Sequence, residues 1–108
     1  MRLYHNPRCS KSRQAVQLLR EAGFQFEEYR YLQLGIAPED LEVLSTVQGI
    51  VRKNDVQGGL IVSDLTSTEI KELFEKHPHC MERPVLIFNG QAILGRPPEL
   101  IIDSLRNQ

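Results

Sequence analysis

The stretch His5-Asn6-Pro7-Arg8-Cys9-Ser10-Lys11-Ser12-Arg13 puts one thiol among cations and small polar residues. Asn6-Pro7 is a turn signal, and an amphipathic segment follows, so Cys9 falls at the expected start of a helix. The free N–H groups and the dipole of a helix N-terminus favour negative charge there. Arg8, Lys11 and Arg13 add positive charge within four residues of the sulfur. Each of these influences lowers a thiol pKa. A free thiol near ~8.5 is only about 3% ionised at neutral pH. Lowering that value by about two makes thiolate the majority form, an advantage of about 2.7 kcal/mol. Buried structural cysteines prefer apolar neighbours, and those around Cys9 are cationic and polar.

What stabilises a thiolate also binds an oxyanion. Successive N–H groups after a turn form a nest, and Arg13 is placed to close over it. Nucleophile and anion site therefore fit on one loop. Cys9-Ser10-Lys11-Ser12 has the spacing of a C-x-x-C redox loop, with Ser12 where a second cysteine would stand. A local dithiol cycle is excluded, so a resolving thiol must come from glutathione, a protein thiol or Cys80.

The loop needs a frame, and periodicity supplies one. Arg2 to His5 reads as a short strand. Residues 11–22 read as a helix with Ala15, Leu18, Leu19 and Ala22 on one face and Gly23 as C-cap. Phe24 to Leu32 is aromatic and suits a second strand. Pro38-Glu39-Asp40 opens a helix with Leu41 and Leu44 inward. Residues 49–64 are poorly patterned, and Gly58-Gly59 marks a loop. Thr66-Ser67-Thr68-Glu69 is a capping box for a helix whose Ile70, Leu73 and Phe74 face one way, ended by Pro78. Pro84 to Phe88 is a strand, Asn89-Gly90 a type I′ turn signal and Gln91 to Leu94 the returning strand. Pro97-Pro98-Glu99 opens a last helix with Ile101, Ile102 and Leu105 inward. The order β-α-β, helical stretch, β-β-α predicts an α/β fold. It matches a thioredoxin-like mixed four-stranded sheet flanked by helices, with a helical insertion between the second and third strands.

The bulk composition narrows the function classes. One domain over 1–108 is expected, large enough to bury a core without disulfides. Charged residues are 25%, hydrophobic residues 41% and the net charge is -1. No global field draws nucleic acid or anionic lipid, so any anion preference is local. No apolar run has membrane-spanning length, and the first residues lack the apolar core of a signal peptide. Two cysteines in such a chain suit free thiols in a reducing cytoplasm. His77-Pro78-His79-Cys80 offers three donors on one short loop, but no familiar ligand pair accompanies it and no metal is expected.

Beyond the loop, three further blocks stand in order: Arg52-Lys53-Asn54, Glu82-Arg83-Pro84 and Gly95-Arg96-Pro97-Pro98-Glu99. Together with His5-Asn6-Pro7-x-Cys9-x-x-Ser12-Arg13, they resemble the glutaredoxin-dependent arsenate reductases of thioredoxin-like fold, in a branch with Pro-Arg-Cys-Ser-Lys-Ser-Arg. The resemblance runs from about Leu3 to Leu105, and the stretch before Arg52 is several residues shorter than the family pattern. It implies Cys9 as nucleophile, His5 as an aid to thiolate formation and Arg13 closing the C-x-x-x-R loop. It also implies Arg52, Arg83 and Arg96 as anion-binding arginines, with Ser12 on the substrate side, and Pro84 as a cis-proline facing the cysteine. Guanidinium groups grip a tetrahedral oxyanion bidentately and stay charged. The implied partners are arsenate or a similar oxyanion, glutathione as co-substrate with no bound cofactor, and glutaredoxin, acting on a monomer. Two other readings accompany it. One is a glutathione-dependent thiol reductase or transferase without arsenate activity, which C-x-x-S permits. The other is a transcription regulator of the same fold that binds RNA polymerase; such relatives usually carry a C-x-x-C switch, and Ser12 argues against it.

Overall fold

A computed structural model describes residues 1–52 and 65–107 of the chain. The Gly58-Gly59 loop expected from sequence lies outside the described residues. Strand β1 (Arg2–Tyr4) pairs in parallel with β2 (Glu27–Tyr29) and antiparallel with β3 (Val85–Phe88), which pairs antiparallel with β4 (Gln91–Leu94). The sheet order is β2-β1-β3-β4, the mixed four-stranded arrangement expected.

Strand alternation divides the interior into two cores. Leu3, Leu86 and Phe88 point to the face covered by α1 (Ser10–Glu21) and α5 (Glu99–Arg106), where they meet Ala15, Leu19 and Ile101. Tyr4 and Val85 point to the opposite face. There they pack with residues of α2 (Tyr31–Leu34), α3 (Leu41–Ser45) and α4 (Ser67–Lys76), including Tyr31, Leu44 and Phe74. No helix among the described residues is long and apolar enough to cross a membrane.

The helix signals act locally. The Gly23 N–H donates to the Arg20 carbonyl and the Phe24 N–H to the Leu19 carbonyl, with Gly23 at φ 81. This is the Schellman closure that a glycine past a helix end permits. The Thr66 hydroxyl accepts from the Glu69 N–H at 3.2 Å and the Glu69 carboxylate from the Thr66 N–H at 3.1 Å, the reciprocal capping box of α4. Asn89 and Gly90 both have positive φ, at 49° and 72°, as a type I′ turn requires.

Two expectations need correction. The second strand is three residues long, not the whole of Phe24 to Leu32. Phe24 is held in the α1 closure, and Tyr31 begins α2, which Gly35 ends at φ 78. The aromatic residues are drawn to the two cores rather than to a ladder: Phe24 and Phe26 pack on the α1 side, Tyr29 and Tyr31 on the other. Ala22 is the exposed C-cap of α1, and Val16 takes its place on the buried face.

The helical insertion is clasped to β1 by a buried polar group. The Tyr4 hydroxyl donates to Asp40 Oδ2 at 2.6 Å and accepts the Ala37 N–H at 3.1 Å. Arg2 Nη1 donates to the same carboxylate oxygen at 2.7 Å. Each member is satisfied by another, which is what makes such a network stabilising in a low dielectric. Burial, reinforced by the Asp40 carboxylate, pushes the Tyr4 phenol far above its ordinary range and keeps it a donor.

Candidate active site

Cys9 is the N-cap residue of α1, with extended φ and ψ of -92° and 123°. The turn that delivers it is self-contained. The Asn6 side-chain carbonyl accepts the Arg8 N–H at 3.0 Å, and the Asn6 backbone carbonyl accepts the Cys9 N–H at 2.9 Å. The Ser12 hydroxyl is fully buried and accepts the Asn6 N–H at 3.2 Å. Ser12 thus ties the loop to the first helical turn by its side chain, while its N–H faces the thiol. An N-cap side chain ordinarily offers an oxygen to the N–H groups two and three residues on. Here the Cys9 sulfur faces the N–H groups of Lys11 and Ser12 in that place.

Charge does the rest. Burial alone pushes the thiol up. The Ser12 and Lys11 N–H groups and the Arg83 guanidinium outweigh it, so the Cys9 pKa lies below the ordinary cysteine range. Arg83 precedes β3 and Arg96 follows β4, so the hairpin brings both to the end of the sheet where α1 begins. Arg96 Nη2 lies 4.0 Å from Cys9 Sγ, and Arg96 Nε donates to the Arg83 carbonyl at 2.9 Å. The bonds preceding Pro84 and Pro97 are both cis, the second without a sequence signal. Gly95, between them, donates its N–H to the Pro84 carbonyl at 2.8 Å.

Arg52 reaches the group from the insertion. Its N–H donates to the Cys80 carbonyl at 2.7 Å beside the Val51–Met81 bridge. Its Nη1 donates to Glu82 Oε1 at 2.9 Å, and the same oxygen lies 3.6 Å from Arg96 Nη2. Glu82 therefore links two of the three arginines. Its role was missed from sequence, although an acid directly before Arg83 in a cationic block was the available signal. Tyr31 was missed as well. Burial pushes its phenol up to about 12, while Arg83 and Arg52 act on it in the opposite direction.

Two buried polar atoms here, Tyr31 Oη and Arg83 Nε, have no hydrogen-bond partner among the described residues. Orphaned polar atoms in a folded interior are few, and these two lie where a ligand or water beside the thiol could satisfy them.

His5 and Arg13 are placed differently. The His5 N–H continues the β1–β2 ladder to the Tyr29 carbonyl, and Nε2 lies 3.7 Å from the Glu28 carboxylate. Burial lowers its pKa, opposed by Glu28 and aided by Arg30, Arg20 and Arg13, so the imidazole is neutral at pH 7. Nδ1 is buried and has no partner among the described residues. Arg13 Nη1 donates to the Pro7 carbonyl at 2.9 Å, bracing the loop from its exposed side, and Arg13 lines a cleft of about 380 Å³ with His5 and Arg20.

Cys80 is a buried thiol on a short 3-10 turn, and both cysteines are free of disulfides. The His77 and His79 rings meet edge to face at 5.7 Å. No group of three metal-donor side chains converges among the described residues.

The ArsC family model matches residues 4–103. The protein YfgD of Escherichia coli, whose function is uncharacterised, is 34% identical over 112 residues, spanning 95% of this chain and 94% of its own. An arsenate reductase of Neisseria meningitidis serogroup A is 36% identical over 113 residues, spanning 94% of each chain. The structure of an arsenate reductase from Vibrio cholerae superposes with a TM-score of 0.79 at 33% identity, over 95% of this chain and 97% of that one.

Proposed function

The chain belongs to the ArsC family, and from that membership we propose that it reduces arsenate to arsenite, with Cys9 as nucleophile and glutathione and glutaredoxin as reductants. The observation that carries the reading is the placement of Arg96 Nη2 4.0 Å from Cys9 Sγ. The buried, unpartnered Nε of Arg83 stands beside it. A disulfide substrate needs no such cations; a tetrahedral oxyanion does. The relatives named arsenate reductases supply the element.

Arsenate enters with its oxygens on Arg83 and Arg96, and Arg52 joins from the insertion. The Cys9 thiolate attacks arsenic(V), an S–As bond forms and one oxygen leaves as water after protonation. His5, neutral and with Nδ1 unpartnered, is the group assigned to help deprotonate the thiol. Ser12 and Arg13 hold the loop still while the sulfur reacts. Glutathione then adds its thiolate to the thiolated arsenic. Elimination then breaks both S–As bonds: one electron pair joins the two sulfurs as the Cys9–glutathione disulfide, and the other stays on arsenic, now arsenic(III). Glutaredoxin, with a second glutathione, returns Cys9 to thiolate. Per turnover, one arsenate and two glutathione molecules give arsenite, oxidised glutathione and water.

The test is direct. Arsenite is measured from arsenate, glutathione and glutaredoxin with the wild-type chain and with Cys9→Ser. The variant should lose at least about a thousandfold in kcat/KM, as expected when a covalent nucleophile is removed. Arsenite formation that does not depend on Cys9 would overturn the proposal.

A further inference from the structure

The reaction as written leaves the Tyr31 phenol without a task. Tyr31 opens α2, and its side chain is fully buried in the core between the sheet and the insertion. Its ring lies 6.0 Å from that of Tyr4, tilted by 50°. Tyr4 is clasped in turn by Asp40 and the Ala37 N–H, so the phenol is positioned by packing on a fixed neighbour. Its Oη has no hydrogen-bond partner among the described residues. A buried tyrosine ordinarily finds one, and a buried hydroxyl without one is costly to the fold.

The groups around Oη explain the vacancy. Arg83 and Arg52 act on the phenol as positive charges, and the Cys9 thiolate acts on it as a negative one. Arg83 weighs on Oη as a donor as well as a charge, yet no hydrogen bond closes between them. The same guanidinium donates towards the Cys9 sulfur, so thiol and phenol share one arginine. A guanidinium has donors and no acceptor. The arginines therefore cannot take the phenolic proton, and Arg83 Nε is itself left without a partner among the described residues. What completes such a group is an anion rich in acceptor oxygens.

We propose that Tyr31 is a further catalytic residue of this site, its O–H donating a hydrogen bond to an oxygen of the arsenate held by Arg83, Arg96 and Arg52. The inference rests on the arsenate-reduction reading for the identity of the anion. The phenol supplies a directed donor that adds no further positive charge to the three arginines. With its pKa pushed up to about 12 by burial, it is protonated at neutral pH and keeps its proton throughout. When the Cys9 sulfur adds to arsenic, the charge of the thiolate spreads onto the arsenic oxygens. A donor already aimed at one of them is then worth more in the transition state than in the ground state.

Tyr31→Phe removes the hydroxyl and keeps the ring. Calorimetry with arsenate on a Cys9→Ser background should show binding about fivefold to tenfold weaker once the hydroxyl is gone. In turnover, Tyr31→Phe should lower kcat as well as raise KM for arsenate, with kcat/KM down about twentyfold or more. Without arsenate, in buffer free of phosphate and sulfate, its urea midpoint should equal or exceed that of wild type, because an unsatisfied buried hydroxyl has been removed. A tyrosine that only fills the core cannot give weaker anion binding in a chain that is no less stable. Equal arsenate affinity with and without the hydroxyl overturns the assignment. A lower urea midpoint overturns it too, by showing that the hydroxyl serves the fold. No arsenate binding by either chain would sink the oxyanion site and the proposed function with it. Hydroxyl-dependent affinity in a chain that makes no arsenite would keep Tyr31 as an anion donor and sink only the reaction.

Discussion

Arg96 approaches Cys9 with Nη2 at 4.0 Å from Sγ while its own Nε is donated to the Arg83 carbonyl at 2.9 Å. The guanidinium is therefore fixed at one edge by backbone, while Nη2 faces both the sulfur and the Glu82 carboxylate, 3.6 Å away. A lysine here has no planar fork with which to do both.

The first consequence concerns Cys9 ionisation. Its thiol titrates below the ordinary range because the Lys11 and Ser12 N–H groups and Arg83 overcome burial. Arg83→Ala should raise the midpoint of iodoacetamide alkylation and lower the thiolate fraction at neutral pH, whereas an unchanged midpoint would show that the Lys11 and Ser12 N–H groups suffice without Arg83. The sign for stability follows from linkage. The native thiol ionises below an unfolded one at ~8.5, so the stabilisation from the thiolate is full above that pH and is lost as pH falls through the lowered native value. Urea midpoints of wild type and Cys9→Ser should therefore differ most in alkaline buffer and converge in acid.

A second prediction concerns Glu82, whose carboxylate holds Arg52 at 2.9 Å and stands 3.6 Å from Arg96. It occupies guanidinium edges that an oxyanion also uses. Glu82→Gln should tighten arsenate binding about fivefold, near 1 kcal/mol for removing one negative charge at this range in a half-solvated site. Calorimetry on a Cys9→Ser background reads this without turnover. Weaker binding would instead show that the carboxylate is needed to aim the two arginines.

The third follows from His5. Its pKa is lowered by burial, so the native protein binds a proton less readily than the unfolded chain. Its contribution to stability is intact above about pH 6.5 and declines as pH falls from there to the lowered native value. His5→Gln should flatten the fall in urea midpoint over that interval relative to wild type. Equal slopes for the two proteins would show that acid sensitivity lies elsewhere.

Gly95 gives a packing prediction. A Cβ there would stand 2.7 Å from Ile101 Cδ1 and 2.9 Å from Pro84 Cγ. The isoleucine end can swing aside, but the proline ring cannot. Gly95→Ala should cost about 1–3 kcal/mol of unfolding free energy, as overpacking does. Because Gly95 adjoins Arg96 and bonds the Pro84 carbonyl, it should also slow Cys9 alkylation. Loss of stability without slower alkylation would mean that the strain is absorbed in α5.

Much of this architecture is legible in the sequence where the cause is local. The turn before Cys9, the glycine closing α1, the Thr66–Glu69 box and the Asn89-Gly90 turn each depend on residues within a few positions, and each forms as its chemistry dictates. The misreading of Phe24 to Leu32 has a physical reason. An aromatic-rich stretch is rewarded by burial in either core, and only three of its residues meet β1. The Glu82 bridge and the buried Tyr31 hydroxyl were hidden because they depend on elements far apart in sequence meeting at one end of the sheet. Ser12 was assigned to substrate, yet its hydroxyl is bound to the Asn6 backbone. That bond exists only once the loop is closed.

The two-sided packing of the sheet has a consequence for how such a site diversifies. Cys9 is borne by the helix that packs with α5, whereas Tyr31 belongs to the opposite core and Arg52 directly follows Val51, a member of that core. Lengthening, trimming or repacking the insertion alters the grip on a substrate without touching the residues that set the sulfur's reactivity. On the proposed reading, the attacking sulfur and part of the oxyanion grip therefore sit on separate pieces of the fold, and a change in one piece leaves the other intact.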